Sequence, residues 1–264
     1  MVRRPGCMKL IYIMLLLKLT DVGARNNTDR SSIASKRYPY LAAIISQSVT
    51  KKSEGWRFTC FGSLIAMGWI VTAAHCNQPN TRHTDRTLFY RDYIQNRTNT
   101  IPILKWKVHP GFISKSTVTW HDIALAQVDK EMNIPAPVFF TSGVQKVQAS
   151  VWKTIVTMDR RTYLTTDMDL YDVELVDPTN CYELYGFTLD DTLLCVNVTH
   201  ETDCFVTEFG PIFTPRERVL GVLRLAPNDC NNKLAIFTNV TSYFEWISKQ
   251  IGAGGWIRVG ETIV

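Results

Sequence analysis

Two side chains sit in settings that suit proton chemistry. His75 closes the run Val71-Thr72-Ala73-Ala74-His75-Cys76, where β-branched residues give way to two alanines. Small residues let the backbone pack closely while the imidazole projects to one side, an arrangement fit for a general base. In an oxidising compartment Cys76 would anchor that turn covalently. On these residues alone, a buried histidine beside a structural cysteine is the competing reading. The second side chain is Asp122, at the head of the apolar run Ile123-Ala124-Leu125-Ala126. A carboxylate there is buried at a cost unless something hydrogen-bonds it.

The rest of the chain must position such groups outside the cell. Residues 1–24 combine a basic start (Arg3, Arg4, Lys9), the apolar stretch 10–17 and the small residues Val22-Gly23-Ala24. They read as a secretory signal peptide, too short and too soon followed by Lys18 to span a bilayer. The mature protein is therefore expected to be secreted. Removing the segment takes four basic residues (Arg3, Arg4, Lys9, Lys18) and one acidic residue (Asp21) from totals of 29 and 24, leaving a net charge of +2. The basic doublets Lys51-Lys52 and Arg160-Arg161 form no stripe, so neither nucleic acid nor a membrane surface is an expected partner. Cys7 leaves too, and Cys60, Cys76, Cys181, Cys195, Cys204 and Cys230 remain. An even number in a secreted chain implies three disulfides, but spacing does not choose the connectivity.

With 45% hydrophobic residues over 264, the chain can bury a sizeable core in one large all-β domain or two smaller ones. Residues 25–37 are polar and read as a flexible leader. Strands are expected at 38–45, 58–65 and 69–72, with Gly68 turning between the last two. A polar loop over 77–99 contains one strand at 88–93, and residues 101–108 form another. Pro135-Ala136-Pro137 reads as a linker. Beyond it, short strands are expected at 151–158, 170–176, 192–196, 219–225 and 234–239, the pattern of an all-β barrel. A helix over 242–251 comes last, with Ser242 and Glu245 as a capping box, Tyr243, Phe244, Ile247 and Ile251 on one face, and Gly252 as the stop. Residues 253–264 form a polar tail.

The run ending in His75, the Asp122-Ile123-Ala124-Leu125 strand, His109-Pro110-Gly111-Phe112, Phe61-Gly62-Ser63-Leu64-Ile65 and the terminal helix together resemble the trypsin-like serine proteases. The resemblance implies two six-stranded antiparallel β-barrels with a C-terminal α-helix over residues 38–252. The first barrel would span about 38–134 and the second about 138–240. It pairs His75 with Asp122, treats His109 as structural, and implies the disulfides Cys60–Cys76, Cys181–Cys195 and Cys204–Cys230. It also exposes departures. The family's serine falls within Cys204-Phe205-Val206-Thr207-Glu208-Phe209-Gly210-Pro211, where Glu208 stands in its place. A carboxylate has no proton to give to histidine at neutral pH, so the nucleophilic step is lost. Val206 takes the oxyanion glycine's position and Thr207 that of the aspartate that accepts the freed amino terminus. No Arg or Lys upstream of Tyr38 precedes Ile or Val, so the activating cleavage is missing as well. In the specificity pocket Thr202 replaces the residue that reads a basic side chain. Arg224-Leu225-Ala226 replaces the usual wall, and Arg224 there could fill the pocket itself. No serine lies between Cys181 and Cys230 to act instead.

These residues imply a non-catalytic homologue, monomeric, that binds extracellular proteins such as proteases or their inhibitors as a cofactor, decoy or regulator of proteolysis. The alternatives are a hydrolase of altered or residual activity and a carrier of a small ligand in the cleft. No metal or other cofactor is expected. Asn26, Asn96, Asn197 and Asn239 begin N-x-Ser/Thr glycosylation sequons.

Overall fold

The structure, a computed structural model, describes residues 38–48, 56–77, 83–93, 99–115, 118–128, 146–156, 162–199, 209–214, 218–227, 231–252, 258–259 and 262–263. The signal peptide, leader, Pro135–Pro137 linker, Asn26, Asn96, Cys204, Cys230, Thr202, Val206, Thr207 and Glu208 lie outside these residues.

Fourteen strands carry the fold: β1 (Leu41–Ser48), β2 (Arg57–Ala66), β3 (Trp69–Thr72), β4 (His83–Phe89), β5 (Ile101–Val108), β6 (Ile113–Lys115), β7 (Val118–Trp120), β8 (Ala124–Val128), β9 (Lys146–Val156), β10 (Thr162–Val176), β11 (Leu193–Val198), β12 (Phe209–Phe213), β13 (Val219–Leu225) and β14 (Leu234–Asn239). Twelve of them close into two barrels, ordered β1-β2-β3-β8-β5-β4 and β10-β11-β14-β13-β12-β9. All their pairings are antiparallel. Closure leaves no barrel edge open to other chains. The all-β, two-barrel expectation therefore holds. β6 and β7 form a separate hairpin just ahead of Asp122.

Apolar residues continue from one barrel into the other. Leu64, Ile70 and Leu125 of the first belong to the same buried cluster as Met168, Phe213 and Val222 of the second. Tyr38, fully buried, stacks on Phe213 at 4.8 Å and donates its hydroxyl to Gln148 Oε1 at 2.8 Å. A Cβ at Gly62 would lie 2.6 Å from the Val71 carbonyl oxygen, so only glycine lets β2 sit this close behind the strand leading to His75.

Several boundaries differ from expectation. The strand expected at 88–93 is β4, which begins five residues earlier and ends at Phe89, with Tyr90–Tyr93 turning into a helix. β10 starts at Thr162 rather than 170, and β12 and the β6–β7 hairpin were not foreseen. Ser242 and Glu245 do not form a capping box. Asn239 instead caps a 3₁₀ turn over Val240–Tyr243, and the helix proper runs Phe244–Ile251 with Tyr243 at its N-cap and no side-chain cap. Ser242 donates to the Asp191 carbonyl. Asn has the better local geometry for accepting the Thr241 N–H, which it does at 3.2 Å. Gly252, at φ 78°, ends the helix as expected.

Candidate functional site

β3 ends at Thr72, and Ala74–Cys76 make a single 3₁₀ turn that presents His75 at the barrel junction. Cys76 is bonded to Cys60 of β2, which fixes the turn from one side. Thr72 donates to the Phe61 carbonyl at 2.8 Å and fixes it from beneath. Asp122 arrives from the other direction. His121 takes φ 48°, an unusual left-handed conformation for a non-glycine residue, and this turns the chain into β8. The His121 ring is held by the Tyr243 hydroxyl at 3.0 Å.

The two candidates meet. The carboxylate of Asp122, fully buried, lies 2.7 Å from His75 Nδ1 through Oδ2, and its Oδ1 accepts the His75 backbone N–H at 2.9 Å. Thr119 of β7 donates its hydroxyl to Oδ2 at 3.1 Å, and Thr238 of β14 donates to the Asp122 carbonyl at 3.0 Å. Burial raises the carboxyl's pKa, but the donors from His75 and Thr119 outweigh it and hold the group below its ordinary value. Two contacts on one carboxylate fix the imidazole's orientation and place the proton on Nδ1, with Nε2 3.8 Å from Cys60 Sγ at the wall of the cleft.

That cleft is a cavity of about 320 Å³ between the barrels, lined by Phe58, Phe61, His75 and the Cys60–Cys76 disulfide on one side and by residues 223–226 on the other. Arg224 and Ala226, both expected at a specificity wall, thus do line a site beside His75. The guanidinium of Arg224, however, reaches across to Thr119 and lies over the Phe187 ring at 5.0 Å. Glu208, Val206 and Thr202 lie outside the described residues, but the strand entered directly after Glu208 is placed. Phe209 pairs with Val151 at the start of β12, and a Cβ at Gly210 would lie 2.4 Å from Ser150 Oγ, which itself donates to the Pro211 carbonyl.

The ligand atoms of Cys60, His75 and Cys76 lie within 4.8 Å of one another. Both sulfurs are spent in the disulfide, so the group offers a metal only the imidazole. His109, half-buried, lies tilted against His121 at 4.9 Å and edge-on to Trp246 at 5.1 Å, in keeping with a structural role. Cys181–Cys195 is the second disulfide among the described residues. Asn197 donates to Glu174 Oε1 within the sheet, and Asn239 is engaged as a helix cap. Sequence reasoning missed Thr119 and Thr238. Thr238 joins the site only when the barrels meet, and Thr119, three residues before Asp122, is marked out by nothing in its type or spacing.

The family model described as Trypsin matches residues 28–247. The chain belongs to the trypsin family of serine proteases. Among its relatives are kallikrein-8 of Homo sapiens, 25% identical over 76% of this chain and 80% of that protein, and chymase of Cavia porcellus, 23% identical over 94% and 99%. The venom peptide isomerase heavy chain of Agelenopsis aperta is 25% identical over 81% and 95%. Among solved structures, neuropsin, a serine protease expressed in the limbic system of mouse brain, superposes with a TM-score of 0.64 at 21% identity, covering 81% of this chain and 95% of that one. Among the described residues no helix is long and apolar enough to cross a membrane.

Proposed function

We propose that this chain is a secreted, non-catalytic member of the trypsin family that binds extracellular proteins, proteases or their inhibitors among them, and so modulates proteolysis as a cofactor, decoy or regulator. The observation that carries this reading is Glu208 at the nucleophile position. Its register is read from the sequence, between Cys204 on one side and Gly210-Pro211 on the other, and needs no gap. Losing the nucleophile lowers turnover by roughly six orders of magnitude in the subtilisin template. Val206 and Thr207, in the places of the oxyanion glycine and the activation aspartate, act in the same direction.

The second reading, an altered hydrolase, is favoured by one observation: the His75–Asp122 pair keeps a working geometry beside an open cleft. The family's members are mostly active proteases, and one relative is named as an isomerase. A serine-directed phosphonate probe together with a broad peptide library separates the two. The binding reading expects no covalent label and no turnover. Turnover that disappears in His75→Ala would establish the hydrolase instead.

A further inference from the structure

Arg224 belongs to the second barrel, but its charged end is spent on the first. From β13 its Nε donates to Thr119 Oγ1 at 2.9 Å, and its Nη2 donates to the Thr119 carbonyl. Nη1 is buried with no hydrogen-bond partner among the described residues. No carboxylate among them lies within ion-pair distance of the guanidinium, which rests on the Phe187 ring. Burial lowers the Arg224 pKa, while the charges of Asp122 and Asp190 and the Tyr243 phenol oppose that shift. A half-desolvated cation tied only to a neutral residue gains little for itself from the arrangement.

What it gains appears one bond further on. A hydroxyl rotor is ordinarily free to choose its partner, but here it is not. Guanidinium can only donate and an ionised carboxylate can only accept, so Thr119 Oγ1 must accept from Arg224 and donate to Asp122 Oδ2. The result is a directed chain from the Arg224 cation through the Thr119 hydroxyl and the Asp122 carboxylate to the Nδ1–H of His75. Each bond polarises the next. The Asp122 charge also acts on the Arg224 cation through space, favouring its charged form.

We infer that Arg224 is a positioning residue that acts through Thr119 to keep Asp122 ionised and aimed at His75. The inference concerns the pair itself and is independent of whether the protein turns over a substrate.

The test is spectroscopic, on the full mature chain. The readouts are the ¹³C titration of the Asp122 side-chain carboxyl and the low-field proton resonance of His75 Nδ1–H. Arg224→Met keeps an unbranched side chain and removes the guanidinium with its charge. It is expected to raise the Asp122 midpoint by roughly half to one pH unit and to move the Nδ1–H resonance. Thr119→Val should do the same with Arg224 still present, whereas Thr119→Ser should restore both signals. If Arg224→Met fails to fold, Arg224→Lys retains the charge but breaks the fork, and a smaller shift in the same direction is expected. An unchanged Asp122 midpoint and Nδ1–H resonance in a folded Arg224→Met, or in Arg224→Lys should that be the one to fold, would overturn the inference.

Discussion

Asp122 shows how one residue can be both a cost and a support. Its carboxylate is fully buried, and only the donors around it make that tolerable: two from His75 and one from Thr119. Because its folded pKa lies below its ordinary value of 3.8, the ionised form adds stability at pH values above that figure, and the contribution is lost as pH falls through the lower, folded value. Asp122→Asn puts an amide where three hydrogen-bond donors converge and leaves at least one of them facing another donor. The expected cost is about 1–3 kcal/mol at pH 7. Urea unfolding of both proteins at pH 7 and again well below pH 3.8 checks this, because the gap should shrink as pH falls from the ordinary carboxyl value toward the lower, folded one. A gap of the same size at both pH values would mean that the charge is not what Asp122 contributes. At this scale the sequence was informative, since the small-residue turn before His75 and the apolar run after Asp122 identified the two groups that meet. It was silent on Thr238 and the reach of Arg224, because contacts separated by 116 or 105 residues leave no local trace, and on Thr119 because a lone threonine three residues before Asp122 is not distinguished by type or periodicity.

At the scale of elements, legibility followed periodicity. β3, β5, β13 and β14 lie where their residue types predicted them. β12 was missed because Gly210 and Pro211 interrupt it, and both are poor strand residues away from an irregular pairing. The terminal helix was found from its apolar face but given the wrong start, since Asn239 outcompeted Ser242 for the cap. Its far end is held from another element. Lys107 of β5 places its ammonium over the Trp69 ring at 5.3 Å and donates it to the Gln250 carbonyl at 2.7 Å. A cation on a last-turn carbonyl offsets both an unpaired acceptor and the negative end of the helix dipole. Lys107→Met keeps the apolar stem and removes the donor. Amide exchange in the last turn of the Phe244–Ile251 helix should then quicken several-fold, corresponding to about 0.5–1 kcal/mol, while β8 and β14 keep their protection. Equal loosening of the strands would show that Lys107 supports the barrel rather than the helix.

The whole molecule depends on two barrels behaving as one body, because the site exists only where they touch. Asp122 and His75 come from the first barrel, Thr238 and Arg224 from the second, and the cavity has a wall from each. Tyr38 is committed to both. It precedes β1, is fully buried, stacks on Phe213, meets Tyr40 edge-on at 5.9 Å and hydrogen-bonds Gln148 of β9. Tyr38→Ala would leave a cavity at the junction and an unpaired Gln148 amide oxygen. The expected destabilisation is about 3–5 kcal/mol, with the larger values expected if the junction does not collapse into the space. Because the apolar cluster is continuous across both barrels, unfolding of the wild type should be a single transition reported equally by tryptophan fluorescence and far-ultraviolet circular dichroism. Tyr38→Phe is the control, as it retains the stack and removes only the hydroxyl, at about 1 kcal/mol. Separate transitions in Tyr38→Ala alone would identify this ring as the tie between the barrels. A fall in midpoint with the transition still single would place the tie in the wider core shared by Leu64, Phe213 and Val222.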